Sequence, residues 1–171
     1  GPLLNLTNGR YEDVHPLWAR GGQMRIWLRD RMGLHGTSGA AQSDVFGMFF
    51  TREAFDRFKL DKTEFALLKK QEEDDEKQKD KGKDKADKSG KKDAGGEKKK
   101  ADDDEAIKLP DPVKIEREQL EDRTARLTTN SGAMRAAAMT PDGETLYFIV
   151  QTADSYELWA NRLREKEQKK V

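Results

Sequence analysis

The sequence predicts an all-β fold that is interrupted by a helical and charged insertion. Short strand-like runs recur about every ten residues near both ends of the chain, and the turn signals of the first region return near the end at a constant offset of 121 positions. A third observation places the interruption. Residues 71–105 contain no Val, Ile, Leu, Met, Phe, Tyr or Trp, whereas 11 of these 35 residues are Lys and 14 are Asp or Glu. Such a segment cannot bury enough apolar surface to offset the entropy of ordering it.

Residues 1–52 are predicted to form the first β region. Four strand-like runs occur here in chain order: LLNL, VHPLW, MRIWLR and SDVFGMFF. The third run follows the glycine pair Gly21 and Gly22, and the fourth follows a loop rich in Gly and Ser. Turn residues between β-branched and aromatic runs are typical of short antiparallel strands.

The middle of the chain is predicted to be the insertion. Residues 53–70 are expected to be helical, because Phe55, Phe58, Phe65 and Leu68 recur at helical intervals and their face can rest on a sheet. Asp61 and Glu64 make a D-x-x-E helix start. Residues 71–106 are expected to be a charged, disordered linker, with at most a solvated helix near its start.

Residues 107–164 are predicted to form the second β region. Its proline-containing entry, LPDPVKIERE, disfavours helix, and four strand-like runs follow: RTARLT, RAAAM, TLYFIV and YELWAN. The charged residues 165–171 are expected to fray.

The two β regions contain the same pattern. At the offset of 121 positions, Leu-Thr, a turn glycine and an apolar pair superpose without a gap. The pairs are Leu6-Thr7 with Leu127-Thr128, Gly22 with Gly143, and Ile26-Trp27 with Tyr147-Phe148. The spacing suits a four-stranded antiparallel blade of about 40–45 residues, the unit of a β-propeller. Two unrelated hairpins that share common turn chemistry remain the alternative.

These turns also resemble a known family. PLWARGGQMRIWLRDRMG and AMTPDGETLYFIV are similar to the blade pattern of TolB-like propellers, with departures at Ala19, Gly21 and Thr140. The order FFTREAFDRFKLDKTEFALLKKQEE, charged insert and VKIEREQLEDRTARLT resembles the propeller region of bacterial tricorn-type serine peptidases.

The resemblance implies a function for the chain. It would be a non-catalytic segment of a periplasmic peptidase, a scaffold or substrate gate for peptide degradation. Its partners would be the remaining blades, the catalytic domain and the peptide substrates. The alternatives are a TolB-like module that binds a protein partner with no protease attached, and a charged insert that acts as a tether.

Composition argues against several other classes. Lys plus Arg equals Asp plus Glu, at 33 each, so no basic bias points to nucleic acid. The absence of cysteine excludes disulfides and thiolate metal sites. No run of about 18 apolar residues is present that could span a membrane, and the N-terminus lacks the features of a signal peptide.

The sequence predicts no catalytic, cofactor-binding or metal-ligating residue. A Ser–His triad would have to use His15 or His35, and the chain has no G-x-S-x-G turn. The serines considered as nucleophiles are Ser38, Ser43, Ser131 and Ser155. The acidic run at 102–105 lacks the spacing of a calcium loop, and Asp142 is expected to cap its own turn.

Two further patterns have a binding interpretation beside a structural one. Gly33, Gly36 and Gly39 lack the strand-to-helix context of a phosphate-binding loop. The aromatic residues of the strands are expected to be packing, with a peptide-binding surface as the alternative. These residues are Trp18, Trp27, Tyr147, Phe148 and Trp159.

Overall fold

A computed structural model describes residues 3, 5–7, 9, 11–30, 42–86 and 112–171, and it is mostly β. The first antiparallel sheet contains, in spatial order, β1 (Asp13–Ala19), β2 (Met24–Asp30), β3 (Ser43–Phe49) and β4 (Thr124–Arg126). The second contains β5 (Met134–Met139), β6 (Thr145–Gln151), β7 (Tyr156–Arg162) and β8 (Glu167–Lys170). Two helices, α1 (Arg52–Lys59) and α2 (Lys62–Ala86), follow β3. The prediction of a mostly β fold is confirmed at this level.

The chain divides into two compact units. The first comprises residues 1–62 and 113–171 and contains both sheets and α1. The second comprises residues 63–112 and contains nearly all of α2. The structure continues α2 to Ala86, well past the predicted end at residue 70. The rest of the predicted linker lies outside the described residues.

The two sheets enclose the main core. Alternate residues of β2, namely Met24, Ile26 and Leu28, pack with Leu146 and Phe148 of β6, and all five are buried. Because side chains of a strand alternate between its two faces, this pattern gives each sheet one face against the other.

Helix α1 covers one edge of this core. Thr51 caps its start, since its side-chain oxygen accepts a hydrogen bond of 3.2 Å from the Ala54 amide. The rings of Phe55 and Phe58 lie 5.5 and 4.7 Å from the ring of Phe49, centroid to centroid. The helix therefore rests its phenylalanine face on the first sheet, as the helical spacing predicts.

Two boundaries predicted from the sequence are wrong. Thr124–Arg126, placed in the second β region, pairs with β3 and completes the first sheet. The insertion thus interrupts a sheet between its third and fourth strands instead of separating two sheets. Residues 167–170, expected to fray, form β8 by pairing with β7. The expected first strand, LLNL, is absent at its described residues Leu3, Asn5 and Leu6.

The chain leaves the first sheet and returns to it at one place. The Glu116 amide donates to the Phe50 carbonyl at 2.9 Å, and the Arg52 amide donates to the Glu116 carboxylate at 2.9 Å. Arg123, which is buried, donates to the backbone carbonyls of Phe49, Glu118 and Glu116. These bonds fix the returning chain beside β3, so that β4 can pair with it.

Candidate functional site

The offset seen in the sequence holds for the strands themselves. β2 and β6 span residues 24–30 and 145–151, and β3 and β7 span residues 43–49 and 156–162. The first pair is related by 121 positions and the second by 113. Cross-strand partners correspond as well: Leu28 faces Val45 in the first sheet, and Ile149 faces Leu158 in the second. The two sheets are thus copies of one arrangement.

The two copies meet through faces that are not equivalent. The first sheet uses Met24, Ile26 and Leu28, whereas the second uses Leu146 and Phe148. The counterparts of Ile26 and Leu28 are Tyr147 and Ile149, which alternate with Leu146 and Phe148 and therefore lie on the opposite side of the second sheet. Contact between unlike faces of like units is heterologous, or head-to-tail.

The second sheet therefore has an apolar outer face. We define this outer face by residues whose side chains point away from the first sheet. Its apolar residues are Ala136, Ala138, Tyr147, Ile149, Leu158 and Ala160, together with Val171, which follows β8, whereas Thr145 and Arg162 lie at one end of this face. Tyr147 and Leu158 are 39% and 41% exposed, although Val45, the counterpart of Leu158, is fully buried.

Val171 occupies the position of Leu127. The Leu127 amide donates to the Val45 carbonyl at 2.7 Å, and the Val171 amide donates to the Leu158 carbonyl at 2.9 Å. Leu127 packs between the sheets and is 3% exposed, whereas Val171 is 68% exposed. The second copy thus also has an apolar residue after its fourth strand. The second sheet covers this residue in the first copy, whereas its counterpart in the second copy is exposed.

An ion pair between the third and fourth strands also recurs in both copies. Arg126 of β4 contacts Asp44 of β3 at 2.8 Å, and Lys170 of β8 contacts Glu157 of β7 at 2.8 Å. In the first copy, Thr128 adds two bonds: its hydroxyl accepts from the Val45 amide and donates to Asp44, both at 3.2 Å. The pairing of the third and fourth strands is therefore reinforced by charge in both copies.

The segment that connects the first sheet to the second is held in place by a buried side chain. The Asn161 amide group of β7 donates to the Leu127 carbonyl at 2.6 Å. Since this carbonyl lies between the sheets, the bond satisfies a backbone acceptor that water cannot reach. Asn161 therefore ties the second sheet to the segment that connects it with the first.

The glycine turn between β5 and β6 lies against the first copy. Asp142 accepts a hydrogen bond of 3.0 Å from the Glu144 amide, as predicted for a residue that caps its own turn. Gly143 has φ of +74°, and a Cβ atom there would lie 2.4 Å from Cδ of Arg20. Burial lowers the pKa of Arg20, while the neighbouring Glu144 carboxylate raises it.

We expect Gly143→Ala to lower the free energy of unfolding by about 2 kcal/mol, because it combines left-handed strain with a clash against Arg20. Gly21→Ala is the matched control: it has φ of +59°, and nothing lies within 4 Å of its added Cβ. Its cost should be about 1 kcal/mol. Chemical denaturation measures both. Equal costs would show that the contact with Arg20 contributes nothing.

A cavity of about 240 Å³ lies on the other face of the first sheet. Its lining includes Leu6, Thr7, Asp13, Arg25, Trp27 and Met48. At the offsets that relate the two sheets, they correspond to Leu127, Thr128, Met134, Leu146, Phe148 and Asn161, all of which are buried. The cavity therefore lies on the face that, in the second copy, receives a neighbouring sheet.

Charged groups order the wall of this cavity. Asp13 accepts hydrogen bonds from Arg29 Nε at 2.7 Å and from Trp27 Nε1 at 2.8 Å. Burial would raise the pKa of Asp13, but the hydrogen bonds from Arg29, Thr7 and Trp27 and the positive charge of Arg29 together lower it. The ionised form of Asp13 is thus favoured in the folded protein.

Asp13→Asn should therefore destabilise the protein at neutral pH but not in acid. Because the folded pKa lies below the unfolded value of about 3.9, ionised Asp13 contributes stability above that value, and the contribution is lost as pH falls through the folded pKa. Melting temperatures of the protein and the variant should differ at pH 7 and converge as the pH falls below the folded pKa of Asp13. A difference that persists in acid would assign the loss to packing.

The residues considered for catalysis are not brought together where they are described. His15 is exposed at an irregularity of β1, whereas Ser43 is buried and its backbone pairs with Gly132. Ser155 exchanges hydrogen bonds with Thr152 in the turn before β7. Ser131 lies 3.1 Å from Arg126 Nη2. His35, Ser38, Gly33, Gly36, Gly39 and the acidic run at 102–105 lie outside the described residues.

The aromatic residues divide between packing and exposure. Phe148 and Trp27 are buried and Trp159 packs against the core, whereas Tyr147 and Trp18 are exposed. The packing interpretation is thus correct for three of the five. Sequence alternation alone could not separate them, because it does not reveal which face meets a neighbour.

Within the part of the chain that the structure describes, no group of three or more His, Asp or Glu side chains could hold a metal ion. Neither helix has, in that part of the chain, an apolar stretch of the length needed to cross a bilayer.

Comparisons with family models, curated proteins and solved structures give no match for this chain.

Proposed function

We propose that this chain is a non-catalytic β-propeller segment of a tricorn-like periplasmic serine peptidase. In that role it serves as a scaffold or substrate gate for peptide degradation. The observation that carries the proposal is the head-to-tail stacking of two four-stranded sheets whose strands correspond at fixed offsets. Blades of a propeller stack in this way, each unit presenting one face to the preceding neighbour and the other to the next.

The assignment to a peptidase is supported by the sequence resemblance. The segments that carry it are the helical run after β3 and the returning segment before β4, which flank the charged insertion. In the structure both flanks are bonded to each other beside β3, through Phe50, Arg52 and Glu116. The chain on either side of the insertion is therefore held at one place beside β3.

Serine-directed labelling tests the proposal. The full-length parent protein should hydrolyse fluorogenic peptides and react with a fluorophosphonate at a serine outside residues 1–171. This chain alone should do neither. The matched control is the parent protein with the labelled serine changed to alanine, which should lose both signals. Labelling within residues 1–171, or a parent without peptidase activity, would overturn the proposal.

The same experiment separates the TolB-like alternative. A propeller that only binds a protein partner would show neither labelling nor hydrolysis in its full-length form. The exposed aromatic residues Trp18 and Tyr156 are the observation that favours this alternative, since aromatic side chains dominate many protein interfaces.

A further inference from the structure

We propose that the free edge of β5, the side of this strand that faces away from β6, binds an extended peptide segment as an added antiparallel strand. A carboxylate side chain of that segment would lie at Arg135. This inference rests on the proposed function and deepens it, because it names the substrate class that a peptide gate would hold and the strand that would hold it. Stacking of sheets covers their faces and leaves their edges.

The first reason is that β5 is unprotected, unlike the other strands at the edges of the two sheets, which are β1, β4 and β8. β1 contains Pro16 within an irregular stretch, β4 has three residues, and β8 has the charged sequence EQKK. Each of these features prevents a further strand from pairing with an edge. β5 has six residues, three of them consecutive alanines, and keeps a regular register from Ala136 to Met139. Because propellers ordinarily leave only short, protected edges, this open edge indicates a strand that pairs with a partner.

The backbone groups of β5 that point outward are the second reason. The Thr140 amide donates to the Thr145 carbonyl at 2.9 Å, which fixes the alternation of the ladder between β5 and β6. Hydrogen-bonded pairs alternate with non-bonded pairs in such a ladder, so Ala137 and Met139 form non-bonded pairs with β6. Their amides and carbonyls therefore point to the free edge, and no other described segment bonds to them. Two donors and two acceptors at this spacing match the backbone of an extended chain.

The side chains along the edge leave room for this backbone. Ala136 and Ala138 are exposed, and Ala137 lies between them. Side chains that face each other across two paired strands lie about 5 Å apart, so large residues here would restrict the side chains of an added strand. Three alanines exclude few of them. The edge therefore selects for an extended backbone more than for particular apolar side chains.

Arg135 adds a preference for charge. It is exposed, and its Nε donates to the Gln151 side chain at 2.7 Å, whereas no described residue bonds to its two Nη atoms. An antiparallel strand that passes Met139 and then Ala137 reaches Arg135 with a residue nearer its own carboxyl end. A carboxylate side chain there can accept hydrogen bonds from both Nη atoms. The occupant is thus a peptide with Asp or Glu toward the carboxyl end of the paired stretch.

N-methylated peptides test the pairing on the 171-residue chain. The probe is fluorescein-labelled Ser-Val-Thr-Val-Thr-Glu with a blocked carboxyl terminus, and fluorescence anisotropy measures its binding. Methylation of one amide at a time should lower the affinity about tenfold at amides that face β5. The alternate amides point away from β5 and are the matched controls, with an expected change below about twofold. Equal effects at all amides, or no saturable binding, would overturn the proposal.

Ala137→Pro assigns the binding to β5. Proline removes the outward amide without removing a bond to β6, and it is tolerated in edge strands, so the affinity for the peptide should fall about tenfold. A folded variant that binds as well as the unmodified chain would overturn the proposal. Hydrogen exchange of the unmodified chain gives a readout that needs no variant: the peptide should slow exchange of the Ala137 and Met139 amides and leave those of β1 unchanged. Unchanged exchange at both residues in the presence of bound peptide would equally overturn it.

Arg135→Glu tests the charge preference. It should weaken binding of the peptide that ends in Glu by about fivefold and strengthen binding of Ser-Val-Thr-Val-Thr-Lys. Arg117→Glu, at an exposed arginine of the returning segment, is the matched control and should change neither affinity. Equal effects of the two variants would overturn the assignment of the carboxylate to Arg135.

A second copy of the chain is the other extended backbone with which this edge could pair. Sedimentation at the concentrations of the binding experiment tests for it. A dimer that Ala137→Pro dissociates would assign the edge to self-pairing and overturn the proposal; a monomer, or a dimer that this variant leaves intact, supports it. None of these measurements uses peptidase activity, so peptide binding at β5 and the proposed function can fail separately.

Discussion

Replacing Phe49 with alanine is expected to lower the free energy of unfolding by about 3–5 kcal/mol. Phe49 is fully buried in the core between the sheets and packs on the rings of Phe55 and Phe58 of α1. The truncation removes apolar burial and leaves a cavity that neither the sheets nor the capped helix can easily fill. The loss should therefore approach the upper end of this range.

Urea denaturation followed by circular dichroism measures this loss. Tyr156→Ala is the control, because Tyr156 is 66% exposed on the second sheet, and its effect should stay within about 0.5 kcal/mol. Phe49→Leu should recover more than half of the loss, since it restores most of the buried volume. A Phe49→Ala variant as stable as Tyr156→Ala would contradict the description of this core.

Arg123→Met should cost about 3 kcal/mol. The guanidinium of Arg123 is buried and donates to the carbonyls of Phe49, Glu118 and Glu116. Methionine retains much of the apolar stem but leaves these carbonyls without the donors that hold the returning chain beside β3. The pairing of β4 should consequently loosen before the rest of the sheet does.

Hydrogen exchange together with chemical denaturation tests this order. Amides of Ala125 and Leu127 should lose protection in Arg123→Met, while those of β6 should keep it. Arg123→Lys is the matched variant: it retains the charge but lacks the planar fork of donors, so it should recover only part of the stability. Uniform loss of protection across both sheets would contradict a local anchoring role.

The hairpins of the fold were predictable because their signals are local. Gly21-Gly22 and Pro141-Asp142-Gly143 are turn sequences that precede apolar strands, and the structure places β2 and β6 directly after them. α1 was predictable for the same reason, since Phe55 and Phe58 repeat at helical spacing.

The fourth strand of each sheet was not predictable from such signals. The sequence of Thr124–Arg126 does not indicate which strand it pairs with. Its pairing with β3 depends on the hydrogen bonds that Arg123 donates beside the end of β3. Glu167–Lys170 is charged, as is common for edge strands that face solvent. Its partner, β7, therefore determines its conformation more than its own residues do.

The outer face of the second sheet was only partly predictable from the sequence. The offset aligns Ile26-Trp27 with Tyr147-Phe148, and the sequence predicts that both Tyr147 and Phe148 are packing residues. The structure separates them, because Phe148 faces the first sheet and Tyr147 does not. A one-residue alternation determines this, and only the position of the neighbouring sheet reveals which residue is inside.

The insertion between β3 and β4 also determines when the first sheet can form during synthesis. Val45 and Thr128, which are bonded across this join, are 83 residues apart in the chain, whereas the strands of the second sheet follow one another through short turns. Closing so long a loop is slower than forming hairpins from strands that are adjacent in the sequence. During synthesis on the ribosome, β1 to β3 therefore form an incomplete sheet, in which the edge of β3 stays unpaired until the segment beyond Arg123 emerges.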